Sequence, residues 1–192
     1  RVTDPLKRKR ARIPFCEMRY IPKHGDLCAM SSGLEDFPAF SVLSTCEMRE
    51  EDGFVHYLGL AVPVVGGAPG PRENPDLDVL DWRPPGWLAR VYGVHQGLGV
   101  WFGRRDRWVR HAILPWDEVT PLTRHVRFGE ENIRFDTADC VLIAPDGRGG
   151  GLVLEGREAP RVRRFWAEDH ALSDPWPVER ALQWVTDGWS AG

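Results

Sequence analysis

The sequence predicts an α+β fold, with a mixed or antiparallel sheet flanked by a few helices and a strand-rich first third; three observations predict it. Residues 12–65 are rich in aromatic and β-branched side chains, in runs separated by turn residues. Two amphipathic segments, 85–96 and 177–185, start at proline and repeat their apolar residues at three- and four-residue spacing. Residues 138–144 are apolar apart from Asp139 and run into Pro145-Asp146-Gly147, as a buried strand entering a turn would.

In chain order, strands are expected at 13–21, 39–45 and 54–65. The Gly/Pro-rich stretch from Gly66 to Pro75 is incompatible with a regular element, because permissive glycines alternate with prolines that lack a backbone donor. It marks a long loop or a joint between a strand-rich extension, residues 1–75, and an α+β core, residues 76–192, within one compact unit. Pro84 and Pro85 then open a helix whose face carries Trp87, Leu88, Val91, Tyr92 and His95, and Gly97 stops it. Strands follow at 100–102 and 107–114, the second with Trp108, Arg110, Ala112 and Leu114 on one face and Val109, His111 and Ile113 on the other. Pro115 ends it, 116–119 suits one helical turn, and 126–128 is short and extended. Residues 152–154 return as the hairpin partner of the apolar strand, across Gly149, Gly150 and Gly151. The last helix places Val178, Ala181, Leu182 and Val185 on one side and stops at Gly188.

With 192 residues, 42% of them hydrophobic and 28% charged, the chain is large enough for a true core. A net charge of only -3 argues against a protein that coats nucleic-acid phosphates. The basic run Lys7-Arg8-Lys9-Arg10 with Arg12 fits a solvated tail. No apolar stretch reaches the roughly 20 residues of a membrane span, and no apolar signal-peptide core is present, so a cytoplasmic location is expected. Four cysteines, Cys16, Cys28, Cys46 and Cys140, are too sparse for a disulfide scaffold and are expected to be reduced. The tetrapeptide Cys-Glu-Met-Arg occurs twice, at 16–19 and 46–49; two copies with unlike surroundings do not make a repeat protein.

Chemistry-bearing motifs are few. A phosphate loop and His-Glu-x-x-His are both missing, and Gly147-Arg148-Gly149-Gly150-Gly151 lacks the Lys-Ser or Lys-Thr of a phosphate loop. Cys16, His24 and Cys28, with Cys46 or His56, are the only conceivable zinc set; their irregular spacing lacks the two close pairs of structural zinc, so neither a metal nor another cofactor is expected. Glu130, Glu131, Asp136, Asp139 and Asp146 bracket the apolar strand and offer an acidic edge to a basic partner, which gains steered association from complementary potential. Among nine tryptophans, Trp101, Trp108, Trp116 and Trp166 sit beside charged residues or glycine, as aromatic interface anchors do.

Taken in order, three segments resemble the SUKH superfamily: Pro84-Pro85-Gly86-Trp87-Leu88 through Tyr92 to His95-Gln96-Gly97-Leu98-Gly99, then Ile113-Leu114-Pro115-Trp116-Asp117-Glu118-Val119, then Val141 through Asp146-Gly147-Arg148-Gly149. The resemblance covers about residues 76–192. It implies an α+β domain without catalysis, whose bacterial members are immunity proteins that bind and neutralise a toxin domain. On that basis the expected function is protein binding through Glu130, Glu131, Asp136, Asp139, Asp146, Trp101 and Trp108, with a basic toxin domain as the partner. Two other readings stay open: a hydrolase or transferase using cysteine or histidine, and a structural subunit of a larger assembly.

Overall fold

A computed structural model describes residues 34–70, 72–102, 107–122 and 139–190. Their fold is α+β, built on two five-stranded antiparallel sheets. The first takes β1 (Glu47–Glu51), β2 (Phe54–Leu58), β3 (Val64–Gly67), β4 (Leu98–Phe102) and β5 (Arg107–Ile113) in sequence order. The second runs from β6 (Thr120–Pro121) through β7 (Cys140–Pro145), β8 (Gly151–Glu155) and β9 (Arg161–Trp166) to β10 (Ala171–Leu172). The sheets meet where β5 runs against β7, and there the Leu114 N–H donates to the Ile143 carbonyl at 2.8 Å.

Between β3 and β4 the chain makes α1 (Pro75–Asp78) and α2 (Gly86–Val94), and α3 (Val178–Ser190) closes the described chain. α2 forms because Pro85 supplies its extended cap while Leu88, Val91, Tyr92 and Val94 bury one face. α3 buries Ala181, Leu182, Val185, Thr186 and Trp189 against β5 and a 3-10 helix at Pro38–Thr45. Phe40 of that helix stacks on Trp189, ring centroids 6.0 Å apart. The second sheet is covered on both faces: Val141, Ile143, Leu152 and Leu154 join the main core, while Cys140, Leu142, Val153 and Phe165 form a smaller cluster with Leu122.

Several expectations give way to packing. Residues 39–45 form the 3-10 helix instead of a strand: Pro38 sets its start, Phe40 and Leu43 bury at three-residue spacing, and the Ser44 and Thr45 hydroxyls donate back to Ser41 and Val42 carbonyls. The expected strand at 54–65 is two strands, broken at Gly59, which has φ +97°, and resumed after Pro63. Gly66 and Gly67 belong to β3, since a side chain on either would collide with the His95 ring or the Gln96 carbonyl. The joint expected at 66–75 therefore lies inside the first sheet, with β3 before it paired to β4 after it. The even alternation expected along β5 breaks at a bulge, where Gly99 pairs with Ala112 and Val100 with Arg110, leaving His111 unpaired at φ +48°. Gly188 does not end the last helix; it lies within α3 at a position where a Cβ would strike the His111 ring. The expected strands at 13–21 and 126–128 lie outside the described residues.

Candidate functional site

The chain between β3 and β4 encloses an open cleft of about 640 Å³. Pro69, Gly70, Arg72 and Glu73 form one wall, Asp78, Arg83 and Pro84 another, and Ala89, Tyr92, Gly93, Gln96 and Trp116 the floor. Its size falls in the range of pre-formed ligand sites.

Each wall is held by hydrogen bonds that the local sequence makes possible. Asn74 is buried and caps α1 with its side-chain oxygen, which accepts from Leu77 N–H at 3.3 Å. Its Nδ2 donates to the Trp116 and Val119 carbonyls at 2.6 and 2.8 Å, tying the wall to the 3-10 turn Trp116–Glu118. Arg72 reaches that turn from outside, its Nη1 lying 3.1 Å from Asp117 Oδ2. Opposite, Arg83 Nη1 donates to Asp78 Oδ1 at 2.6 Å. On the floor, the Tyr92 hydroxyl donates to Leu114 carbonyl at 2.7 Å and its ring meets Trp116 edge-on at 6.3 Å. Burial, and then the Asp117 carboxylate, push the Tyr92 phenol up, so it stays protonated and structural.

Behind the floor, His95 is buried between Tyr57 and β3. Its Nδ1 lies 3.1 Å from the Gly67 carbonyl, which only accepts, so Nδ1 carries the proton and Nε2 accepts from the Tyr57 hydroxyl at 2.6 Å. Burial lowers the His95 pKa against a smaller raising effect of the Gly67 bond. This anchor positions its neighbour Gln96, 4% exposed, whose Oε1 has no hydrogen-bond partner among the described residues.

The acidic edge is different from the expectation. Glu130, Glu131 and Asp136 lie outside the described residues, as does the side chain of Trp101. Asp139 is exposed but paired with Arg157 at 2.9 Å. Asp146 is committed to the β7–β8 turn: it accepts from the N–H groups of Arg148 and Gly150 at 2.7 and 3.0 Å and pairs with Arg164 at 2.6 Å. Burial pushes its carboxyl up, but those partners outweigh it and hold the pKa below the ordinary carboxylate value. Trp108 is 8% exposed and packed in the core beside Gly97, so it is corrected from interface anchor to core residue; Trp116 is buried as well. Trp166 remains on the surface.

The cysteine and histidine alternatives also take definite places. Cys140 is buried, and Cys46 donates its thiol to the Val42 carbonyl at 3.4 Å while burial pushes its pKa up. Cys16, His24 and Cys28 lie outside the described residues, among which no group of three or more His, Cys, Asp or Glu could hold a metal ion. No described helix is long and apolar enough to cross a membrane.

From sequence, Gln96 stands out only as a member of the segment Pro84–Gly99, and no cleft is expected there. One signal was present: Gly93 interrupts an otherwise regular helical pattern, and isolated helix glycines at exposed positions ask for a reason. No family model, curated protein or solved structure matches the chain.

Proposed function

We propose that this chain is a non-catalytic protein-binding module of SUKH type, acting as an immunity protein that captures and neutralises a cognate bacterial toxin. The observation that carries the reading is the cleft between β3 and β4. Two of the three sequence segments that resemble the superfamily meet there: Pro84, Ala89, Tyr92, Gly93 and Gln96 come from the first and Trp116 from the second. Both supply its floor.

The cleft suits recognition more than bond making. Its described lining contains neither cysteine nor histidine, and its tyrosine is held protonated in a bond to Leu114. Cys46, with a raised pKa, is poorly disposed to act as a thiolate nucleophile, and His95 has both ring nitrogens engaged. Asp139 and Asp146 already neutralise arginines of this chain, which shifts the expected contact surface from the acidic edge to the cleft.

The test is affinity capture of the tagged chain from extract of its native cells, read by mass spectrometry, followed by co-expression of chain and captured partner. Recovery of a stoichiometric partner whose toxicity the chain suppresses is the expected result. A chain that emerges alone, or carrying a bound metabolite or metal, overturns the proposal.

A further inference from the structure

The face that α2 turns toward the cleft is bare. Ala89 and Gly93 are exposed there, and the place where a Gly93 Cβ would stand is open space. Gly93 also lies outside the left-handed backbone region, so neither crowding nor conformation calls for a glycine at this point. Mid-helix glycine weakens a helix relative to alanine. Beyond this bare face lies Gln96, nearly fully buried, with Oε1 unpartnered. A buried carboxamide oxygen without a donor is costly and needs an explanation. Around both, Pro69, Pro84, Tyr92 and Trp116 are apolar or aromatic, and the lining charges balance, Arg72 and Arg83 against Glu73 and Asp78.

We propose that the cleft receives an extended, uncharged segment of a partner protein, its backbone lying against Gly93 and one of its peptide groups held by the Gln96 carboxamide. This rests on the binding-module reading and names the chemistry that the module recognises. A carboxamide offers an acceptor and a donor, matching the N–H and C=O of a peptide group. Gln96 lines the cleft, and its terminal torsion is broad and two-fold, so the carboxamide can present either its acceptor or its donor there. Glycine at 93 permits close approach of a second backbone, the use for which a side chain would be an obstacle. Charge balance selects against strongly charged segments, because Arg72 and Arg83 are already engaged by Asp117 and Asp78 and any added charge meets an opposing like charge on the same rim.

The test pans a phage-displayed library of short random peptides against the full chain. Enriched peptides are then measured by fluorescence polarisation against the wild type, Gly93→Phe and Gln96→Leu. Gly93→Phe fills the cleft from an exposed helical position; Gln96→Leu keeps the volume and removes the amide. Enriched peptides of low charge, weakened about tenfold or more by each variant, are expected from the loss of one buried hydrogen bond or of the space itself. The proposal is overturned if the variants bind the enriched peptides as tightly as the wild type does, if enrichment selects runs of like charge, or if the library yields no cleft binder. Its failure is separable from that of the immunity reading. A toxin neutralised equally well by Gly93→Phe removes the cleft and spares the immunity role, whereas cleft-dependent peptides from a chain that captures no toxin do the reverse.

Discussion

Replacing Tyr57 with phenylalanine removes one oxygen atom from the anchor behind the cleft. The ring stays in the core, where Tyr57 is 5% exposed and meets His95 edge-on at 5.7 Å, so little packing changes. What disappears is the 2.6 Å bond into His95 Nε2, and that nitrogen is left buried with no donor. A net hydrogen bond contributes about 1 kcal/mol, and orphaning its buried partner brings the expected loss to about 2 kcal/mol. In urea that corresponds to a midpoint lower by about 1 M at a slope of about 2 kcal/mol/M, with the slope itself unchanged. In a thermal melt it corresponds to a fall of about 4–8 °C for a chain of this size. The assay is equilibrium urea unfolding at pH 8, where His95 is neutral in both states. A midpoint within error of the wild type, or an altered slope, would refute the reasoning, since the first denies the orphaned nitrogen and the second points to a change in the unfolded chain.

Three further outcomes are expected. Burial lowers the pKa of His95 and also of His111, which faces Arg110, Arg164, Asp146 and Trp184, so both favour the neutral form when folded. Stability is then fully present above the ordinary histidine value near 6.5 and falls as pH drops through it toward the depressed folded values, by up to about 1.4 kcal/mol per pH unit for His95 and less for the partly exposed His111. Urea midpoints that stay flat from pH 7 to 5 would contradict it. Asp146→Ala should cost about 2–4 kcal/mol, because it removes the oxygen that accepts from two backbone N–H groups of the β7–β8 turn and leaves Arg164 without its pair; unfolding curves read this directly. Gly93→Ala should raise stability by about 0.5–1 kcal/mol, seen as a higher melting temperature.

Legibility in the sequence followed how local the cause was. Proline start and apolar spacing located α2, and Pro145-Asp146-Gly147 located the turn between β7 and β8, because those signals act within a few residues. The 3-10 helix at 38–45 was hidden by its β-branched and aromatic composition; burial of Phe40, stacked on Trp189, and of Leu43 adds the long-range part of what selects it. β9 was hidden by charge, as Arg163 and Arg164 sit in a strand beside Val162 and Phe165 and are paired there with Glu155 and Asp146. Gly188 reads as a stop by its type, whereas in the fold it leaves room for His111, bulged out of β5. The cleft was the least legible, since its lining runs from Pro69 to Trp116 and is assembled by Asn74 and Arg72 reaching across to one turn. Asp139 and Asp146 looked free because sequence proximity says nothing about the arginines that they meet in space.

Residues 68–97 leave and rejoin the first sheet at adjacent points, clasped by the Gly67 N–H donating to the Gly97 carbonyl at 2.9 Å. Most of the cleft's lining belongs to that excursion, and none of it to the strands β1–β5. Substitution at Pro69, Glu73, Pro84 and Ala89 can therefore change the lining of the cleft without asking any strand to find a new neighbour. A protein engineer inherits that freedom: a small set of rim positions to randomise above a scaffold that need not be redesigned.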